Sequence, residues 1–82
     1  MDINKIYDTI EARITELTGS RPNPTERLEI DLGLDSLDLL DITLTLEKEY
    51  SISIPDESYS RLSADITLLD WVINLHNMLN GK

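Results

Sequence analysis

The sequence contains no cysteine and only one histidine. Without cysteine the chain can form no disulfide, no thiolate metal site and no cysteine nucleophile. The single histidine, His76, supplies too few ligands for a zinc site, and it lies far along the chain from the candidate serine described below. We therefore expect no bound metal and no catalytic residues.

Basic residues are also few: 7 stand against 16 acidic ones, for a formal net charge of −9. Nucleic-acid binding needs clustered lysine and arginine, and an anionic membrane surface repels an acidic chain. No apolar run approaches the roughly 18 residues of a spanning helix, and the first residues lack the pattern of a signal peptide. We expect a soluble, cytoplasmic protein whose partners present basic surfaces, with no nucleic acid bound and no membrane insertion.

Apolar residues at steps of three and four predict three long helices. They cover Ile3–Leu17, Ser36–Tyr50 and Leu68 to about Asn80, and a short helix is predicted from Glu57 to about Leu62. Asp2 and Thr67 are suitable N-caps, and Gly19 is a suitable stop. The expected fold is a single domain over residues 1–82, an all-α, four-helix up-and-down bundle with a long first loop.

In the first loop, Leu28, Ile30 and Leu32 alternate with acidic residues. This alternation resembles a strand, but the sequence offers no second strand to pair with it. We therefore expect a loop whose three apolar side chains point inward as anchors.

The central helix carries two apolar stripes. The first is expected to enter the core and consists of Leu39, Ile42, Thr43, Leu46 and Tyr50. The second, which consists of Leu37, Leu40 and Leu44, is either part of a wide buried face or an exposed ridge for docking basic partners. Seven acids against one base between Asp35 and Glu57 favour the exposed ridge.

Ser36 stands at the start of this helix, after Gly33 and Asp35. As an ordinary helix-start residue it needs no function, and as a nucleophile it would need a base within hydrogen-bond reach. The free N–H groups and the positive dipole end of a helix also suit an oxygen that carries a phosphate.

The run Leu34-Asp35-Ser36-Leu37, preceded by Asp31-Leu32-Gly33 and followed by Ile54-Pro55-Asp56-Glu57, resembles the 4'-phosphopantetheine attachment site of acyl carrier proteins. The resemblance covers Asp2 to Leu79. It implies that Ser36 carries a 4'-phosphopantetheine arm, derived from coenzyme A, whose thiol holds acyl groups as thioesters. It also implies a monomer that catalyses nothing itself.

The implied partners are a phosphopantetheinyl transferase and acyl-processing enzymes with basic docking patches. The positions that match the family's docking residues are Asp35, Leu37, Asp38, Asp41, Leu44 and Glu47. Lys48, where the family commonly has an acid, and a short first loop favour a specialised carrier over one for primary fatty-acid synthesis.

Two alternatives stay open. One is a carrier of the same build for an amino acid: a peptidyl carrier, against which Leu34-Asp35 argues, or a D-alanyl carrier, which the sequence does not exclude. The other is an unmodified acidic helical module for protein interaction. In that case Ser36 could be replaced by alanine without loss of function.

Overall fold

The computed structural model describes residues 2–55 and 62–80. It has three α-helices, α1 (Ile3–Thr18), α2 (Ser36–Tyr50) and α3 (Leu68–Leu79), and these ranges contain no β-strand. The all-helical class and the three long helices are confirmed. The predicted short helix falls on residues outside the described ones, apart from Leu62, which is partly buried against the core.

The helix boundaries follow from local capping chemistry. The Asp2 side chain accepts a hydrogen bond from the Asn4 N–H at 2.9 Å, and α1 ends at Gly19 in the left-handed conformation at φ 82°. The Thr67 hydroxyl accepts from the Asp70 N–H at 3.2 Å and so begins α3. The three predicted caps are confirmed.

One apolar core joins all three helices, and α1 packs against both α2 and α3. Its fully buried members from the helices are Ile6, Ile10, Ile14, Ile42, Leu46, Leu68, Trp71, Val72 and Leu75. Met78, one residue before the end of α3, is 39% exposed and is not part of this core.

The first loop is held to the core at Leu28, which is fully buried, and Leu32 packs partly against it. Ile30 is 54% exposed, so its predicted inward orientation is wrong. The reason is that residues 28–32 form successive turns, in which side chains do not alternate as they do along a strand. The loop does find a partner, since Arg27 forms an isolated antiparallel bridge with Thr67.

Helices α1 and α2 run antiparallel. The Tyr50 hydroxyl, at the end of α2, lies 2.8 Å from the Thr9 hydroxyl and donates to the Lys5 carbonyl at 3.3 Å. Nearer the start of α2, Asp41 pairs with Arg13 of α1. These contacts fix which face of α2 is covered by α1 and leave the opposite face uncovered by it.

A matched pair of leucines on α2 tests this arrangement. Leu46→Ala should lower the free energy of unfolding by about 2–5 kcal/mol, because it leaves a cavity in the core. Leu44→Ala removes the same atoms from an exposed position and should change the free energy of unfolding by less than about 0.5 kcal/mol. Urea denaturation followed by circular dichroism measures both, and equal losses would contradict the placement of α2.

Candidate functional site

The segment before α2 holds the Ser36 turn at the surface. Leu34 is buried and its N–H donates to the Leu28 carbonyl at 3.0 Å. Gly33 has φ 69°, a left-handed conformation that strains any residue with a side chain. The buried leucine and the left-handed glycine together place Asp35, Ser36 and Leu37 on the exposed side.

A reciprocal capping box begins α2. The Asp35 carboxylate accepts from the Asp38 N–H at 3.0 Å, and the Asp38 carboxylate accepts from the Asp35 N–H at 3.1 Å. This arrangement satisfies backbone donors that a helix start otherwise leaves unpaired. Asp35 is therefore the N-cap, and Ser36 is the first residue of the helix.

Ser36 is exposed, and no group among the described residues hydrogen-bonds to its hydroxyl. A group attached to Oγ would extend into solvent without breaking an internal hydrogen bond. A phosphate there would also lie at the positive end of the α2 dipole, near backbone N–H groups that lack helical partners. The residues present therefore fit a phosphate ester, whereas activation of Ser36 as a nucleophile would require a base from outside the described residues.

An open surface groove of about 350 Å³ begins next to Ser36 and runs along α2. We call it the α2 groove, and it is lined by Leu37, Leu40, Asp41, Leu44, Thr45 and Lys48. Leu37 is 73% exposed and Leu44 is 53% exposed, while Leu40 is half-buried. The second apolar stripe of α2 is thus an exposed ridge, as the acidic composition favoured, and not part of a wide buried face.

Asp41 is engaged within the protein. Its two carboxylate oxygens accept from Arg13 Nε at 2.8 Å and from Arg13 Nη2 at 3.0 Å, and Arg13 also pairs with Glu16. These hydrogen bonds from Arg13 lower the pKa of Asp41 and raise the pKa of Arg13. Both charges lie partly in solvent, so the pair contributes less to stability than a buried pair of the same geometry would.

Glu47 is also engaged, because its carboxylate accepts from the Ile54 N–H at 2.6 Å. This bond ties the end of α2 to the segment that follows it, next to Ser51 in the left-handed conformation at φ 55°. Each of the four acidic residues predicted to dock partners therefore has an intramolecular role as well. Their carboxylates can still accept further hydrogen bonds, since each carboxylate has about four acceptor sites.

Leu40, a member of the second apolar stripe, and Lys48 line the groove beside the predicted docking leucines Leu37 and Leu44. Arg13 is the residue of this site that was not predicted. No local pattern in the sequence indicates a role for Arg13, because its partner Asp41 lies 28 residues away on another helix.

The described part of the chain contains no cluster of residues that could hold a metal ion. It also contains no helix that is both long and apolar enough to cross a membrane.

Comparisons with known proteins show which family the sequence matches. Residues 4–68 match the family described as "Phosphopantetheine attachment site". A protein named "Acyl carrier protein" from Chlorobium phaeobacteroides is 30% identical over 69 residues, which are 84% of this chain and 87% of that protein. Proteins of the same name from Chlorobium phaeovibrioides and Chlorobium luteolum are each 29% identical over 70 residues, 85% of this chain and 88% of each relative. No solved structure gives a significant match.

The Arg13–Asp41 pair predicts a pH dependence of stability. Pairing lowers the pKa of Asp41 in the folded state. The contribution of the pair to the free energy of unfolding is therefore present above the ordinary value of 3.8 and is lost as the pH falls further. Asp41→Asn should therefore lower the urea midpoint at pH 7, and the difference from the parent protein should narrow below pH 3.8.

Arg13→Gln removes the other half of the pair and should reproduce this pattern. Titration of the Asp41 carboxyl by NMR supplies a direct check, since the Arg13 substitution should raise its pKa. The pair is not formed in solution if the difference in urea midpoint between parent and variant stays constant from pH 7 to pH 3. The same conclusion follows if Arg13→Gln leaves the pKa of Asp41 unchanged.

Proposed function

The chain belongs to the acyl carrier protein family, whose members carry 4'-phosphopantetheine, and from this premise we propose that it carries acyl groups on an arm attached to Ser36. When bound, the group supplies a terminal thiol that holds the acyl cargo as a thioester, which explains how a cysteine-free protein takes part in thiol chemistry. The proposed setting is the synthesis of fatty acids or of related specialised products. The protein is a carrier and not an enzyme.

The observation that carries the assignment of Ser36 is its exposed hydroxyl directly after Asp35 at the first position of α2, within the span matched by the family. Asp35 and Asp38 direct carboxylate oxygens at backbone N–H groups through the capping box, which fixes the local backbone around Ser36. Leu34, the residue before Asp35, is buried and so anchors the start of this turn in the core. These contacts support a rigid platform from which a long arm extends.

Attachment is a substitution at phosphorus. The Ser36 Oγ forms a bond to the phosphorus nearest pantetheine in coenzyme A, and the bond from that phosphorus to the bridging oxygen breaks. The leaving adenosine bisphosphate takes the electron pair of the broken bond. A base of the transferase accepts the hydroxyl proton, in keeping with the lack of a hydrogen-bonded base among the described residues near Ser36.

The α2 groove is the proposed surface for the transferase and for acyl-processing enzymes. Leu37 and Leu44 supply exposed apolar anchors, and the net charge of −9 attracts basic partner surfaces. Asp35 and Asp38 add negative charge beside the reacting serine, and Asp41 and Glu47 shape the surface through Arg13 and Ile54. The remaining acceptor sites on these carboxylates are available to arginine or lysine side chains of a partner.

Incubation with coenzyme A, magnesium and a broad-specificity phosphopantetheinyl transferase tests the attachment site. Intact-mass spectrometry should show a single phosphopantetheine adduct on the parent protein and none on Ser36→Ala. Ser63→Ala, which changes another exposed serine, should be loaded like the parent. An adduct on Ser36→Ala, or none on parent protein whose folding is verified by circular dichroism, would contradict the proposal.

The rate of the same reaction tests the docking surface. Leu44→Ala should lower kcat/KM for loading about fivefold, the effect of losing an interface contact worth about 1 kcal/mol. Leu69→Ala removes a comparably exposed leucine from α3 and should leave the rate within about twofold. Equal effects of the two substitutions would place the transferase elsewhere on the protein.

A further inference from the structure

The two ends of the α2 groove differ in charge. Asp35, which is exposed, and Asp38, which is half-buried, do not line the groove but adjoin its Leu37 end along the chain. The other end is lined by Lys48, which is exposed and forms no ion pair among the described residues. Between the two ends lies the apolar floor of leucines.

The acid in the middle of the groove does not offset this difference. Both oxygens of Asp41 accept hydrogen bonds from Arg13, so the guanidinium offsets part of its charge where it borders the groove. The two acids on either side of Lys48 in the chain do not line the α2 groove. Glu47 accepts from the Ile54 N–H, and Glu49 borders a separate groove between α1 and α2.

Asp38 and Lys48 lie about 15 Å apart along α2, at 1.5 Å per residue. The Debye length at physiological ionic strength is about 8 Å, so a charge bound at one end is largely screened from the other. The overall charge of −9 still steers basic partners toward the protein. Once in contact, a partner meets an acidic surface at one end of the groove and a cation at the other.

We propose that the α2 groove takes an amphipathic helical segment of a partner protein that places a basic side chain beside Asp38 and a carboxylate beside Lys48. The apolar stripe of that segment packs on Leu37, Leu40 and Leu44, as in other helix-in-groove complexes. The inference rests on the proposed function, because it describes the enzymes that act on the arm at Ser36. Lys48 is its specificity-determining residue: it favours partners with an acid at this end and disfavours uniformly basic ones.

Two synthetic helical peptides with the same leucine stripe test this charge pattern. A basic peptide carries arginine at both ends, and a bipolar peptide carries arginine at one end and glutamate at the other. Fluorescence anisotropy at 0.15 M salt gives the Kd of each for the full chain loaded at Ser36. Lys48→Glu should weaken the bipolar peptide and strengthen the basic one, so that the ratio of the two Kd values changes about five- to tenfold.

Lys5→Glu is the matched control, because it makes the same change in net charge at an exposed position on α1, outside the groove. It should alter both Kd values by a similar factor and leave their ratio unchanged. In 1 M salt the effect of Lys48→Glu on the ratio should largely disappear. The proposal is wrong if Lys5→Glu changes the ratio as much as Lys48→Glu does, if Lys48→Glu leaves it unchanged, or if neither peptide binds.

Intact-mass analysis of the same samples keeps the two hypotheses separate. If the protein is loaded at Ser36 but Lys48→Glu leaves the ratio of the two Kd values unchanged, the charge pattern proposed for the groove is wrong and the carrier function is unaffected. A protein that is not loaded, but whose unloaded form shows the Lys48-dependent ratio, would support the groove and overturn the attachment at Ser36.

Discussion

The burial of the α1 isoleucines against α2 and α3 is the interaction on which the rest of the structure depends. A chain of 82 residues without cysteine has no disulfide to stabilise it, and a core of this size leaves little stability in reserve. Ile6, Ile10 and Ile14 are fully buried in the core that α1 shares with both other helices. Because α2 uses one face for this purpose, Leu37 and Leu44 on its opposite face stay exposed.

The Ser36 turn shows how the core serves a surface site. Leu34 is buried and Leu37 is largely exposed, so the chain passes from core to surface within three residues. Gly33 supplies the left-handed backbone and the Asp35–Asp38 capping box supplies the hydrogen bonds of the helix start. The backbone of Ser36 is held by these contacts, and its hydroxyl has no hydrogen bond to another described residue, which suits the proposed attachment of an arm.

The carboxylates of α2 combine structural and surface roles. Asp41 pairs with Arg13 across the α1–α2 contact, and Glu47 holds the segment after α2 through Ile54. A substitution at either position therefore affects stability as well as the surface charge. The consequence for the groove is that its charge pattern depends on pairing within the protein as well as on the count of acidic residues.

The sequence by itself determined the extents of the helices, their caps and the position of Ser36, because apolar spacing, capping and hydrogen bonding are local. It also indicated the exposed leucine stripe through the acids beside it. Local alternation was misleading at Ile30, where successive turns replace the period of a strand. Only the tertiary structure decided that Arg13 pairs with Asp41 and that Lys48, at the end of the groove, forms no ion pair with another described residue, because contacts between residues distant in the chain depend on how the helices pack.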